Sequence, residues 1–220
     1  MSTMPIPFDK IQGWLFDLDG TLMDTDDQAV ESLARRLKFL GPARANQLAR
    51  RIIMAGETPM NYALTAVDMV GLDAVFFGFQ HMVSGHHKPT FRIIEGVKPM
   101  LAHLAERARL AVVSTRSEAE ALEFLRQHEL TDLFTLIVTQ TTTKRLKPHP
   151  EPVLYAVNHL GLPPDACAMV GDTPVDILSG RRAGVWTVGV LCGFGEEAEL
   201  RRAGAHLILS STADLLTLVK

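Results

Sequence analysis

Only two cysteines occur in the 220 residues, Cys167 and Cys192, and they form neither a CxxC pair nor a metal-ligand pattern. That scarcity excludes a disulfide scaffold, and both thiols lie in apolar, strand-like segments where they read as reduced core side chains. Basic charge is not in excess. Against 22 Lys and Arg stand 25 Asp and Glu, a formal net charge of -3, which leaves no field of the kind that draws a protein onto nucleic acid or anionic lipid. No apolar run approaches the roughly 18 residues of a membrane span, and the opening MSTMPIPFDK lacks the apolar stretch of a signal peptide. The expected partners therefore exclude nucleic acid and membrane, and the expected compartment is the cytoplasm. Internal repeats and low-complexity tracts are also lacking.

What is present is ample apolar material, 47% of the chain, enough for a sizeable core without staples. Short apolar runs at 14–18, 110–113, 136–138, 166–170, 185–190 and 206–209 end in small or polar residues and give way to helical patterns. Consecutive apolar positions such as Ala111-Val112-Val113 suit strands covered on both faces. This alternation predicts an α/β fold, an open, doubly wound (Rossmann-like) parallel sheet with crossover helices. Helices are expected over 117–128 and over 152–160, the second stopping at Gly161, and Gly180 and Gly184 are read as bracketing another helix end.

The alternation pauses after Leu22 and resumes near Pro99. Between them Val30, Leu33, Leu37, Leu48, Ile52, Leu64 and Val67 recur at helical spacing, broken at Gly41-Pro42, Gly56 and Gly71. A small helical insert over 23–96 is thus predicted within a core made of 1–22 and 97–220, with hinges near 22–25 and 94–97. Met54, Met60, Met69, Phe76, Phe77 and Phe79 read as the insert's own core, His86-His87 as a solvated loop, and the pairs Arg50-Arg51, Arg181-Arg182 and Arg201-Arg202 as solvated helix faces. One of Arg50 and Arg51 is also a candidate contact for an anionic substrate.

Chemistry concentrates where strands end. In Phe16-Asp17-Leu18-Asp19-Gly20-Thr21, residues two apart along an extended chain point to one side, so Asp17 and Asp19 are expected to face a common site, with Gly20 letting the backbone turn towards an anion. The same residues also suit a plain turn cap. A second acidic group, Gly171-Asp172-Thr173-Pro174-Val175-Asp176, likewise follows an apolar run and precedes a helix. Acids from two strands at one sheet edge call for a hard cation, and magnesium in turn attracts phosphate. Lys147, between Leu146 and Pro148, offers a fixed positive charge, and Ser114-Thr115-Arg116 offers a hydroxyl before a helix start. Taken singly, Ser114 also reads as a helix N-cap and Lys147 as a surface lysine.

These four segments, in this order, resemble the signatures of the haloacid dehalogenase superfamily, and the likeness runs from about Gly13 to Leu216. Within it the closest likeness is to phosphoglycolate phosphatase-like and pyrophosphatase-like members, through Lys147-Pro148-His149-Pro150 and the tail Gly193-Phe194-Gly195. The resemblance implies a Mg2+-dependent phosphatase acting on a small phosphorylated metabolite through an aspartyl phosphate. Asp17 would be the nucleophile and Asp19 the general acid and base. Magnesium would be held by the Asp17 carboxylate, the Asp19 carbonyl and Asp172, with Asp176 supporting. Ser114 and Lys147 would bind phosphoryl oxygens, with Gly20, Thr21, Thr115 and Arg116 as further substrate contacts. The helical insert would be the family's cap domain. Thr115-Arg116 departs from the pattern, since many relatives carry Asn after the serine. Phosphoglycolate is the candidate substrate by likeness alone.

Other readings share parts of this pattern. A dehalogenase would not need Asp19, where that branch typically carries Tyr. A sugar-phosphate phosphomutase or a pyrophosphatase would keep every residue named, and a non-catalytic binding protein would not need the set intact. Monomer and homodimer are both compatible with the sequence.

Overall fold

Trp14, Leu15 and Phe16 follow one another with no polar residue between them, and in the computed structural model all three are fully buried. Successive strand side chains leave on opposite faces, so this requires cover on both sides. Trp14 and Phe16 enter an apolar layer with Met100, Leu101 and Leu104 on one side, while Leu15 meets Val153, Val157 and Leu160 on the other. Burying each such side chain contributes about 1.5–3 kcal/mol. The structure describes residues 6–24 and 91–219, together with positions 37, 41 and 45.

Among these residues the elements run β1 (Gly13–Phe16), α1 (Val97–Ala105), β2 (Arg109–Val113), α2 (Glu118–Gln127), β3 (Phe134–Val138), α3 (Glu151–Leu160), β4 (Cys167–Gly171), α4 (Pro174–Ala183), β5 (Trp186–Val190), α5 (Glu197–Ala203), β6 (Leu207–Leu209) and α6 (Leu215–Leu218). All strands are parallel, in the order β3-β2-β1-β4-β5-β6. The chain is thus an α/β protein with a six-stranded, doubly wound sheet. Strand order reverses between β1 and β4, and in such sheets ligands bind at the carboxyl end of that switch point. None of the described helices is long and apolar enough to cross a membrane.

Helix ends follow local chemistry. α3 stops at Gly161 and α4 at Gly184, both with positive φ, 65° and 78°, the left-handed cap that glycine adopts without strain. Gly180 and Gly184 bracket the end of α4 as expected, with Gly180 in its last turns. A Cβ there would meet Thr187 Cγ2 at 2.6 Å, so this glycine lets α4 approach β5.

Most of the expected helical insert lies outside the described residues, as do Arg50, Arg51, His86, His87 and the methionines and phenylalanines assigned to its core. Its two stems are described. Met23 bridges Ile93 in antiparallel fashion, Asp24 N-H donates to Arg92 O at 2.9 Å, and Ile94 N-H donates to Leu22 O at 3.0 Å. The chain therefore leaves and re-enters the α/β layer through two paired segments.

Candidate active site

Register brings the acids together. β1 pairs with β4 so that Phe16 faces Val170, and Asp17 N-H continues the ladder by donating to Val170 O at 3.0 Å. The next residues on both strands, Asp17 and Gly171-Asp172, therefore emerge side by side at the carboxyl edge. Asp17, Asp172 and Asp176 are all buried, and each offers a carboxylate oxygen within 4.8 Å of the others.

Lys147 enters this group from the loop before α3. Its side chain is only 4% exposed, so it is not a surface lysine. Its Nζ donates to Asp17 Oδ1 at 2.6 Å, to Asp176 Oδ1 at 2.6 Å and to Val113 O at 2.8 Å, which uses all three ammonium protons. Burial alone would lower Lys147, but the charges of Asp17 and Asp176 outweigh it and raise it above its ordinary value. Burial also pushes the Asp17 carboxyl up to about 7; the charges of Asp176 and Asp19 add to the rise and Lys147 opposes it. A carboxyl so placed is poised for a cation that removes its proton.

Asp176 has a double duty at the start of α4. Its Oδ2 accepts from Thr173 N-H at 3.1 Å and Thr173 Oγ1 at 2.6 Å, closing a capping box, while Oδ1 holds Lys147. Asp172 is clasped by backbone. Phe194 N-H donates to Asp172 Oδ2 at 2.9 Å. A Cβ on Gly20 or Gly193 would stand 2.3 Å or 2.2 Å from that same oxygen, and one on Gly195 would stand 1.6 Å from Asp172 O. Gly20 also has φ 65°. The 193–195 loop carries no acid and no cation, and only its Gly-x-Gly pattern after a strand hinted at a site role.

The remaining sequence candidates divide. Ser114 is buried at the end of β2, and its Oγ accepts from Arg116 N-H at 3.1 Å; the N-cap of α2 is Ser117, whose side chain accepts from Glu120 N-H. Ser114 is therefore no helix cap. Thr115 is half-buried in the same turn. Thr21 is fully buried: its Oγ1 lies 3.5 Å from Asp172 Oδ1 and its carbonyl accepts from Thr212 Oγ1 at 2.6 Å. Asp19 stands at the same edge, but its carboxylate is held by Arg116, with Nε at 2.9 Å and 2.8 Å from its two oxygens and an Nη2 contact of 2.6 Å. The side chains of Asp17 and Asp19 thus bind separate cationic partners, and neither merely caps its own turn. Arg182 is exposed on its helix, as expected, and also donates to Pro148 O at 2.7 Å, bracing the loop behind Lys147.

The donor set fits a hard divalent ion. Three carboxylates against one ammonium leave two negative charges when all are ionised, in a buried pocket of oxygen ligands. The cysteines lie apart from this chemistry: burial raises Cys167 to about 11 and also raises Cys192, so both stay as inert thiols.

In an open α/β sheet an acid-lined switch point of this kind is where a ligand binds, and similarity to known proteins gives the class. Residues 14–190 match the haloacid dehalogenase-like hydrolase family. The pyrophosphatase PpaX of Anoxybacillus flavithermus is 30% identical over 207 residues, covering 93% of this chain and 95% of that protein. The protein of the same name from Bacillus pumilus is 32% identical over 207 residues, covering 93% and 94%. A solved structure from Bacteroides fragilis, assigned as a haloacid dehalogenase-like hydrolase, superposes with a TM-score of 0.69 at 25% identity, covering 93% of this chain and 99% of that one. The chain belongs to the haloacid dehalogenase-like hydrolase family. It is an enzyme, a phosphoric ester hydrolase.

Proposed function

We propose that this protein is a magnesium-dependent phosphatase that hydrolyses a small-molecule phosphate monoester through an aspartyl phosphate on Asp17. The observation that carries the reading is the buried Lys147 ammonium, 2.6 Å from both Asp17 and Asp176, beside Asp172. Asp17 and Asp172 would hold the ion together with the Asp19 carbonyl, and Asp176 would support them. When bound, magnesium supplies charge neutralisation and alignment at the phosphoryl group.

The chain's own residues account for the steps. Lys147 holds Oδ1 of Asp17, which leaves Oδ2 to attack phosphorus; the P-O bond to Asp17 forms as the bond to the leaving oxygen breaks. Asp19 gives that oxygen a proton, then takes one from the water that attacks phosphorus, releasing inorganic phosphate and restoring the Asp17 carboxylate. Ser114 would donate to a phosphoryl oxygen, and the Lys147 ammonium, its protons already engaged, would offset negative charge there and on Asp17. The insert over 23–96 would act as the cap that excludes water and selects the substrate.

A second reading concerns the substrate alone. The relatives named pyrophosphatase, 30% and 32% identical across nearly the full chain, favour inorganic pyrophosphate over phosphoglycolate. Turnover of p-nitrophenyl phosphate, phosphoglycolate, pyrophosphate and hexose phosphates, with magnesium and with EDTA, tests both readings, and phosphorus NMR of the products separates hydrolysis from a mutase. Asp17→Asn is expected to abolish turnover in a folded protein; retained magnesium-dependent turnover would remove Asp17 from the mechanism.

A further inference from the structure

We propose that Arg116 is a positioning residue that holds the Asp19 carboxylate in place for proton transfer, backed by Glu120. This rests on the phosphatase reading, in which Asp19 carries the proton. The guanidinium reaches Asp19 across 97 positions of sequence and grips it with three contacts of 2.6–2.9 Å. Its far side is held in turn: Nη1 donates to Glu120 Oε1 at 3.3 Å, and Glu120 Oε2 accepts from Ser117 Oγ at 2.7 Å. The guanidinium carbon lies 5.7 Å from the centre of the Phe91 ring. Phe91 is itself tied to α2, its N-H donating to Gln127 Oε1 at 3.2 Å and its carbonyl 3.1 Å from His128 Nε2. Burial would lower Arg116, but Asp19 and then Glu120 outweigh it and raise it, so the clamp is charged at any working pH.

Arg116 was also a candidate substrate contact, and its present partners argue against that. The edge of the guanidinium that forks towards the site is taken by Asp19, and the opposite nitrogen faces Glu120. Each guanidinium nitrogen thus already has a carboxylate partner, which leaves none free for a further anion. What the arrangement does supply is orientation. A carboxylate must come within about 2.6–3.2 Å of the proton it moves, and a misplacement of about 1 Å costs roughly a hundredfold in rate. A planar, forked donor fixes both oxygens at once, which a lysine does not.

The test uses the full-length protein with saturating magnesium and p-nitrophenyl phosphate. Arg116→Met is expected to lower kcat by roughly 10- to 100-fold with KM changed by less than about threefold, because an interaction made only on the way to the transition state is lost. Arg116→Lys is expected to recover part of the loss. Glu120→Gln, which is remote from the phosphoryl group, is expected to show a smaller fall of the same kind. Thermal melting checks that each variant is folded. In an Asp19→Asn background, measured at raised enzyme concentration, adding Arg116→Met is expected to change little. A rise in KM with kcat preserved in Arg116→Met, or unreduced kcat in both Arg116→Met and Glu120→Gln, would overturn the proposal. The phosphatase reading stands or falls separately, on Asp17→Asn.

Discussion

Lys147 Nζ stands 2.6 Å from Asp17 Oδ1, a buried ion pair joining the loop before α3 to the end of β1. Because the same ammonium also binds Asp176, removing it would strand two carboxylates in a pocket that already holds Asp172. Breaking a buried pair from one side typically costs about 3–5 kcal/mol. Lys147→Met is therefore expected to unfold at lower denaturant than the parent in EDTA, and magnesium should restore part of the difference by replacing the lost charge. Urea melts with and without magnesium measure this. An unchanged midpoint in EDTA would show that the pair does not stabilise the fold.

The titration of Asp17 has a sign that can be checked. Burial raises its carboxyl from an ordinary 3.8 to about 7, so the folded protein keeps a proton that the unfolded chain releases near 4. Its contribution to stability is complete below about 4 and is lost as pH rises through about 7. Lys147 is raised as well, and its contribution stays constant until pH passes its ordinary value, outside this window. In EDTA, the wild-type melting temperature is expected to fall relative to that of Asp17→Asn by several degrees between pH 5 and pH 8. Magnesium competes with the same proton, so its affinity should strengthen over that range. A difference that shrinks with rising pH would contradict the assignment.

Thr173 links the acids to the helix that follows. Its hydroxyl donates to Asp176 Oδ2 at 2.6 Å while Asp176 Oδ1 holds Lys147. Thr173→Val keeps the shape but loses the cap, at a cost of about 0.5–2 kcal/mol, and releases one oxygen of Asp176. Reduced stability and reduced turnover are expected together, with Thr173→Ser restoring both. Serine failing to rescue either property would show that the hydroxyl is not the relevant group.

The strands were legible because consecutive apolar residues such as Ala111-Val112-Val113 have one economical home, a strand buried on both faces. Asp17, Asp172 and Asp176 were legible because acids directly after such runs have no role in a core. Pairing between distant segments was not legible. That β1 neighbours β4, which sets Asp17 beside Asp172, depends on the order in which the whole sheet packs. The partner of Asp19 depends on where α2 begins, and Arg116 alone gives no sign of it. The neighbours of Thr21 were not legible either, because Asp172 and Thr212 reach it from 151 and 191 positions away. Gly180 and Gly184 do bracket the end of α4, but periodicity did not register how closely β5 approaches Gly180.

Glycine at positions 20 and 193 is required by Asp172 rather than by the turns alone. A Cβ at Gly20 would lie 2.3 Å from Asp172 Oδ2, and one at Gly193 would lie 2.2 Å from the same atom, both far inside contact distance. Relief needs the carboxylate to swing away from the Phe194 N-H that now holds it, since the backbone of Asp172 is packed against Gly195. Gly20→Ala adds the strain of φ 65°, about 1–2 kcal/mol, whereas Gly193 has no such conformation to defend. A Cβ on Gly193 would also stand 2.7 Å from Gly20 O, so both substitutions press on backbone as well as on the acid, and only Gly20→Ala carries the further cost of its φ. Both are expected to weaken magnesium binding by about tenfold or more and to lower turnover accordingly, while Gly20→Ala alone should show the additional loss of stability. Calorimetric magnesium titrations and melts of both variants test this; magnesium affinity unchanged in Gly193→Ala would mean that Asp172 does not need its present position to bind the cation.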